Sequence, residues 1–297
     1  MMTLKELSLA LRGLVFFRGL LDDPAMRALT RLISLDGTDS GAFVDAYAAF
    51  CAALFMNGTD LAAHLKNLVL EDENVCLLKS CSAEGLDPEM KECLGRELAL
   101  LQELSRTESS SVRALCPYEG WLPAWHTHEE DFAAAYRERL AALPQTGWGI
   151  FAHYHMFTVR EGVLVPVKHP DRQTLAELPG YEAEKARVLA NTEALLHGMP
   201  ANNVLLYGDA GTGKSSTVKA IANDLRHRGL RLIEVKKNQL FQLPDIMEGI
   251  YGNPLKFIVF IDDLSFSSND ADFAALKAIL DGSVSGHSGN VAVYATS

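Results

Sequence analysis

One short segment constrains this chain more than any other: eight residues in which glycines recur ahead of a lysine and a serine. Residues 208–215 read GDAGTGKS and match the pattern G-x-x-x-x-G-K-[ST] at every fixed position. An apolar run, residues 204–207, precedes them, and a helical pattern over residues 216–226 follows. A strand, a glycine-rich turn and a helix in this order are the context in which the pattern binds phosphate. The sequence therefore predicts an α/β fold with a phosphate-binding loop, or P-loop.

The residue types of this loop fit a nucleoside triphosphate with its metal. Its glycines allow the backbone to curl so that several N–H groups point at phosphate oxygens, and the following helix adds its positive end. We expect Lys214 to reach the β- and γ-phosphates and the Ser215 hydroxyl to ligate Mg²⁺. The residues predicted to bind ATP here are Gly208, Asp209, Ala210, Gly211, Thr212, Gly213, Lys214, Ser215 and Ser216.

A second apolar strand ends in two acidic residues. The run FIVFI, residues 257–261, is followed directly by Asp262 and Asp263. A carboxylate at the end of a strand beside the P-loop can hold Mg²⁺, and we predict that role for Asp262. Asp263 stands where many P-loop ATPases carry glutamate to polarise the attacking water. The side chain of aspartate is one methylene shorter than that of glutamate. We predict Asp263 and Lys214 as catalytic residues.

Hydrophobic patterning divides the chain into three predicted parts. Residues 1–147 are predicted to form a mostly α-helical domain, with an N-cap before proline at Asp23 and Asp87 and capping boxes opening at Thr3 and Thr127. Residues 148–177 are predicted to form a β-hairpin and a linker. From residue 178 to 297, helical segments alternate with short β-rich apolar runs at residues 204–207, 230–235, 257–261 and 291–295. This order predicts a three-layer α/β core, a parallel sheet with helices on both faces.

Charge and composition exclude several classes of protein. Residues 1–165 hold 14 Lys and Arg against 23 Asp and Glu, so this acidic half argues against nucleic acid as a partner. No apolar run approaches the roughly 20 residues of a membrane span. The charged N-terminus does not fit a signal peptide, because Lys5, Glu6 and Arg12 interrupt its apolar residues. We therefore expect a cytoplasmic protein.

The cysteines and histidines support no metal or disulfide prediction. Five cysteines without a C-x-x-C motif are expected to be buried free thiols in a reducing compartment: Cys51, Cys76, Cys81, Cys93 and Cys116. Two histidine pairs at i, i+2 spacing, His126 with His128 and His153 with His155, are not interpreted as metal ligands, and a surface position beside a helix start explains the first pair.

Residues 178–297 resemble the AAA+ ATPases of the domain-of-unknown-function family 815. The segments that carry the resemblance are LPGYEAEKARVLANTEALL, PANNVLLYGDAGTGKSS, GLRLIEV, FIVFIDDLSF, LKAILDGSV and NVAVYATS. The resemblance implies an AAA+ fold, with Lys214 and Ser215 in a Walker A motif and Asp262 and Asp263 in a Walker B motif. It also implies that Tyr181 contacts adenine, and that Thr296 or Ser297 acts as sensor 1, the polar residue that helps to place the lytic water.

The resemblance further implies a continuation after Ser297: an asparagine, an arginine-bearing segment, a fifth strand and a helical lid. On this comparison we expect the lid, sensor 2 and the arginine finger to be absent from the chain. An arginine finger is worth about 10³–10⁵ in rate, so we expect weak ATP hydrolysis that the missing segment would restore. ATP binding should persist because the cradle and metal ligands are present.

Two functions of different classes remain open at this point. The first is an AAA+ ATPase that remodels or moves an unidentified protein partner, which the helical half of the chain engages. Such an ATPase could act as a homo-oligomer. The second is an interaction module gated by ATP or ADP, with little or no hydrolysis. A small-molecule kinase would need an acceptor pocket and an arginine-rich lid, and the sequence after Lys214 indicates neither of these. A GTPase would need an N-K-x-D segment, and no such tetrapeptide occurs.

Overall fold

The computed structural model describes residues 2–81, 85–264 and 289–297. The segment LKAILDGSV, residues 276–284, which carries part of the family resemblance, lies outside these described residues. The chain divides into two compact units, residues 1–141 and 142–297. The division falls within one helix, Phe132–Thr146. The segment predicted as a separate hairpin and linker, residues 148–177, therefore lies inside the second unit.

The described part of the first unit consists of helices and connecting turns. They are α1 (Leu4–Leu11), a 3₁₀ segment (Phe16–Asp22), α2 (Pro24–Ser34), α3 (Ser40–Phe55), α4 (Leu61–Glu71), α5 (Val75–Ser80), α6 (Pro88–Ser105), α7 (Ser109–Arg113) and α8 (Phe132–Thr146). Large side chains such as Phe17, Phe43, Phe50 and Tyr136 are fully buried between them. Burial of one apolar face per helix provides most of the stability of such an arrangement.

Most of the predicted helix starts are confirmed. The side chains of Thr3, Asp23 and Asp87 each accept the N–H group of the residue three positions later. The capping box predicted at Thr127 is wrong. Helix α8 begins at Phe132, and Asp131 caps it by accepting the N–H of Ala134 at 2.8 Å.

A tertiary interaction explains the failure at Thr127. Its hydroxyl donates to the carbonyl of Ser105 instead of capping a helix. Glu130, the expected second member of the box, binds His128 and Lys66 through its carboxylate. Both side chains of the predicted motif are thus engaged in other contacts.

The second unit contains a six-stranded sheet among the described residues. Its strands are β1 (Met156–Arg160), β2 (Val163–Pro166), β3 (Val204–Leu206), β4 (Leu230–Val235), β5 (Lys256–Ile261) and β6 (Val291–Thr296). Their spatial order is β2-β1-β4-β5-β6-β3. Only β1 and β2 pair antiparallel, and every other neighbouring pair of these strands is parallel.

The predicted hairpin belongs to this sheet and not to a linker. Glu161 and Gly162 form its turn with φ of 51° and 79°, as a two-residue hairpin requires. Strand β1 then pairs in parallel with β4, with Phe157 opposite Ile233. Sequence patterning detects the local hairpin, but it does not reveal a pairing between strands some 75 residues apart.

Helices cover both faces of the sheet. The helices of this unit are α9 (Ile150–His153), α10 (Glu182–Leu196), α11 (Lys214–Leu225) and α12 (Leu243–Gly249), with 3₁₀ turns at Leu175–Glu177, Arg226–Arg228 and Lys237–Gln242. Helices α10 and α11 contribute to the core with Ile258 and Phe260 of β5. Helix α12 lies against Phe257 and Val259 of the same strand. The described residues thus form an α/β P-loop fold, with apolar strands buried on both sides.

Two further observations concern the helices and the cysteines. No helix in the described ranges combines the length and the apolar character needed to cross a membrane. All five cysteines are free; Cys51, Cys76 and Cys116 are buried, and Cys81 and Cys93 are partly exposed.

Candidate nucleotide-binding site

Three neighbouring strands of the sheet end at the same edge and bring the predicted residues together. Strand β3 ends at Leu206, just before the P-loop, and β5 ends at Ile261, just before the two acidic residues. Strand β6 lies between them and ends at Thr296. In open parallel sheets, ligands bind outside the carboxyl ends of the strands, so this edge is the expected place for a site.

The P-loop adopts a backbone that requires its glycines. Gly208, Gly211 and Gly213 have φ of 140°, 81° and 81°, a region that other L residues rarely enter. No heavy atom lies within 4 Å of the place where a Cβ would stand on any of them. Backbone conformation, and not crowding, therefore selects glycine here. Gly213 directly precedes α11, so the N-terminus of that helix faces the loop.

Lys214 is held against the loop from which it projects. Its ammonium donates to the carbonyl oxygens of Gly208 at 2.7 Å and Asp209 at 2.8 Å. The hydroxyl of Thr212 donates to the same Asp209 carbonyl at 2.9 Å. The positive charge therefore lies beside the loop before any ligand enters, within reach of the space that the loop encloses.

Asp262 accepts hydrogen bonds from two other residues of the predicted site. The hydroxyl of Ser215 donates to Oδ1 of Asp262 at 2.6 Å, and the hydroxyl of Thr296 donates to the same oxygen at 2.6 Å. Ser215 lies in the segment after β3, Asp262 follows β5, and Thr296 ends β6. The structure thus joins residues from three segments of the chain in one hydrogen-bonded group.

Asp262 is kept ionised by its surroundings. Burial alone would raise the pKa of its carboxyl, but hydrogen bonds from Ser215 and Thr296 and the charge of Lys219 outweigh burial and lower the pKa below its ordinary value. A charged carboxylate next to a hydroxyl offers the oxygen ligands that Mg²⁺ prefers. The donor set therefore fits a magnesium ion held by Ser215 and Asp262.

Asp263 is exposed and has a left-handed backbone, with φ of 55°. Its N–H donates to the hydroxyl of Thr296 at 3.0 Å, so one threonine side chain contacts both acidic residues. Ser297, the alternative to Thr296 in the sequence analysis, uses its N–H to bond the Leu206 carbonyl at 2.9 Å. Of these two candidates, Thr296 is the one whose hydroxyl contacts Asp262.

A cavity of about 510 Å³ opens beside the P-loop. Lys214, Thr217 and Val188 line it together with two exposed tyrosines, Tyr181 and Tyr207. Tyr181 was predicted from the sequence, whereas Tyr207 was missed. The position of Tyr207 immediately before Gly208 could have indicated this contact, because a side chain there must lie near the loop.

Two more groups near the site were not predicted. Lys219 lies one helical turn after Ser215 and forms an ion pair of 3.0 Å with Glu234. Asn191 brackets the backbone of Asn202, donating to its carbonyl at 2.8 Å and accepting its N–H at 2.9 Å. The second contact anchors the segment that leads into β3 and the P-loop.

Hydrogen bonds engage one member of each histidine pair. His155 bonds the side chain of Asn223 at 3.0 Å, and His128 lies between Asp60 and Glu130. In the part of the chain that the structure describes, no cluster of three or more His, Cys, Asp or Glu could hold a metal ion.

The chain is similar to known proteins over part of its length. Residues 151–297, which include every predicted site residue, match the model of a family described as "Protein of unknown function (DUF815)". The chain is also similar to the replication factor C large subunit of Staphylothermus marinus, with 29% identity over 116 residues, 36% of this chain and 26% of that protein. It therefore spans about a quarter of the length of this relative.

A solved structure, that of C. elegans PCH-2, shares 18% identity with a TM-score of 0.36, covering 48% of this chain and 44% of that one. A likeness of this size carries no weight for function. The family assignment rests instead on the match of residues 151–297 to the family model. Over residues 151–297, about half of its length, the chain belongs to the DUF815 family.

Proposed function

We propose that this protein binds ATP with Mg²⁺ at the P-loop and hydrolyses it to remodel or move a protein partner. The observation that carries the proposal is the convergence of Ser215 and Thr296 on one oxygen of Asp262. A glycine-rich turn alone would not need an ionised carboxylate and two hydroxyls beside it. A site for a phosphate-bound cation does need them.

The P-loop residues bind the triphosphate in this proposal. Backbone N–H groups of residues 208–216 contact phosphate oxygens, as the left-handed glycines allow. Lys214 exchanges its two loop carbonyls for oxygens of the β- and γ-phosphates. This exchange needs only a side-chain movement, since the ammonium already lies beside the loop.

Ser215 and Asp262 hold the magnesium ion. A bound Mg²⁺ would supply positive charge that stabilises the phosphates during transfer. The hydrogen bond between these two side chains keeps both at one place in its absence. The Ser215 hydroxyl and the Asp262 carboxylate would be the oxygen groups that hold the cation.

Asp263 and Thr296 act on the attacking water. The N–H bond to Thr296 fixes the peptide between the two acidic residues, and with it the point at which the Asp263 side chain leaves the backbone. That carboxylate orients the water and accepts its proton, a task for which a positioned carboxylate is worth about 10²–10⁴ in rate.

The cavity beside Lys214 takes the nucleoside, with Tyr181 against the adenine. The volume of about 510 Å³ lies within the range of small-molecule sites. Two exposed aromatic rings at its wall favour a planar base as the occupant, because base–aromatic stacking is favourable for every base.

The first unit engages the protein partner as a helical domain. Its acidic balance disfavours nucleic acid, and we place the protein in the cytoplasm, acting as a homo-oligomer. The alternative is a nucleotide-gated module with little hydrolysis. It is favoured by one observation, the short and exposed side chain of Asp263 where a longer acid is usual.

The deciding experiment compares ATP hydrolysis by the wild type and Asp263→Asn. The substitution keeps the shape of the side chain and removes its charge. We expect a drop of about a hundredfold with ATP affinity retained. Equal near-zero rates, with nucleotide still bound by both proteins, would favour the module.

Lys214→Ala is the matched control for binding. It removes the charge that contacts the phosphates, and its side chain is only partly buried, so the fold should persist. We expect tight ATP binding to be lost in calorimetry while the circular dichroism spectrum stays unchanged. Micromolar or tighter binding by this variant would contradict the role assigned to Lys214.

A further inference from the structure

Lys185 of α10 is buried although it carries a charge. Its side chain is 8% exposed, and its ammonium donates to the Leu178 carbonyl at 2.6 Å and to a Glu182 carboxylate oxygen at 2.8 Å. A buried ammonium is costly unless its charge and its donors are matched. The contact with Leu178 is therefore a specific one, which no apolar side chain could replace.

The residues that Lys185 holds form an unusual turn. Gly180 and Tyr181 are both left-handed, with φ of 78° and 57°. The left-handed conformation is unfavourable for Tyr181, which is not a glycine. Contacts with neighbouring residues must therefore maintain it. Lys185 contacts the turn on both sides: its ammonium bonds Leu178 before it, and its N–H donates to the Tyr181 carbonyl at 2.9 Å.

This turn presents Tyr181 to the cavity beside Lys214. The ring of Tyr181 is more than half exposed, and Lys185 also lines the cavity. The P-loop, by contrast, is a separate segment that none of these contacts reaches. The turn can therefore change without changing the groups proposed to bind phosphates.

We propose that Lys185 is a positioning residue for nucleoside recognition, which holds Tyr181 in the left-handed conformation that faces the cavity. The inference rests on the proposed ATP binding at the P-loop. Lys185 acts through Tyr181 on the base, and it leaves the affinity for the triphosphate moiety unchanged.

The test measures the affinity of the full chain for two probes, ATP and inorganic tripolyphosphate, both with Mg²⁺, by calorimetry. We expect Lys185→Met to weaken ATP binding about tenfold, which is within the range for loss of one base-stacking contact. Tripolyphosphate should bind the variant and the wild type equally. Glu182→Gln is the control, because it changes only the 77% exposed partner of Lys185 and keeps an acceptor oxygen; it should retain wild-type affinity for both.

A double-mutant cycle tests whether Lys185 acts through Tyr181. In a Tyr181→Ala background, Lys185→Met should cause no further loss of ATP affinity. If Lys185→Met does not fold, Gly180→Ala serves instead. It strains the same turn, with no atom within 4 Å of the new Cβ, and should give the same difference between the two probes.

Several results would overturn the inference while leaving the proposed function intact. They are wild-type ATP affinity in Lys185→Met, an equal loss for both probes in that variant, and full additivity in the cycle. A wild type that binds neither probe would remove the proposed function itself, and this inference with it.

Discussion

Thr296 uses one hydroxyl group for two contacts, and this makes it the residue with the most specific expected phenotype. It donates to Asp262 and accepts from the N–H of Asp263. Thr296→Val keeps the shape of the side chain and removes both contacts. We predict that ATP hydrolysis falls about 10- to 100-fold, the size expected for a lost hydrogen bond to a charged group.

The same substitution should change ATP affinity only slightly, because Lys214 and the loop N–H groups are untouched. Steady-state hydrolysis and calorimetric binding, measured side by side, separate the two effects. Thr296→Ser, which keeps the hydroxyl, is the control and should remain close to the wild type. Full activity in the valine variant would show that the group around Asp262 is not catalytic.

Among the elements, the loop before α8 is tied to α4 by a charged cluster that predicts a pH dependence. His128 bonds Glu130 at 3.0 Å and Asp60 at 2.8 Å, and Lys66 pairs with Glu130. The bond to Glu130 and then the bond to Asp60 raise the pKa of His128 above 6.5. A raised pKa in the folded state means stabilisation that is complete below about pH 6.5 and is lost as pH rises through the folded value.

Hydrogen exchange can follow this loss at defined amides. The N–H groups of Leu61 and His126 bond the loop and α4 to each other across the sequence. We predict that their protection falls as pH rises above about 6.5 in the wild type. The fall should be absent in His128→Asn and retained in His126→Asn, a control at an exposed histidine in the same loop. Equal pH dependence in all three proteins would contradict the prediction.

The strands of the parallel sheet were predictable because each is an apolar run between helical segments. The runs at residues 204–207, 230–235, 257–261 and 291–295 became strands with ends shifted by at most one residue. The P-loop was predictable because phosphate binding fixes its residues at set spacings.

What escaped prediction depends on partners distant in sequence. Local rules assigned Thr127 a capping role that its bond to Ser105 prevents. Lys185 has the sequence context of an ordinary helix-surface residue, since nothing in its neighbourhood indicates that its ammonium reaches the turn before the helix. Arg231 likewise lies buried in β4 and donates to backbone carbonyls, among them those of Phe151 and Thr146.

At the scale of the whole molecule, every residue of the candidate site lies in the second unit. That unit has its own apolar cores on both faces of the sheet. We predict that a fragment of residues 142–297 folds and binds ATP within about twofold of the full chain, as expected for independent parts. Calorimetry and circular dichroism on the fragment test this, with its Lys214→Ala form as the blank. An unfolded fragment, or a folded one without affinity, would show that the first unit contributes to the site.

The left-handed residues have a consequence for the evolution of this protein. Three non-glycine residues in the described ranges have positive φ, and two of them, Tyr181 and Asp263, belong to the candidate site. Each costs roughly 1 kcal/mol or more that glycine would not. Selection for thermal stability alone should therefore favour glycine at both positions. The resulting protein would be more stable, but it would lack the two side chains that we propose act on the base and on the attacking water. Retention of tyrosine and aspartate at these positions would indicate selection for activity rather than for stability.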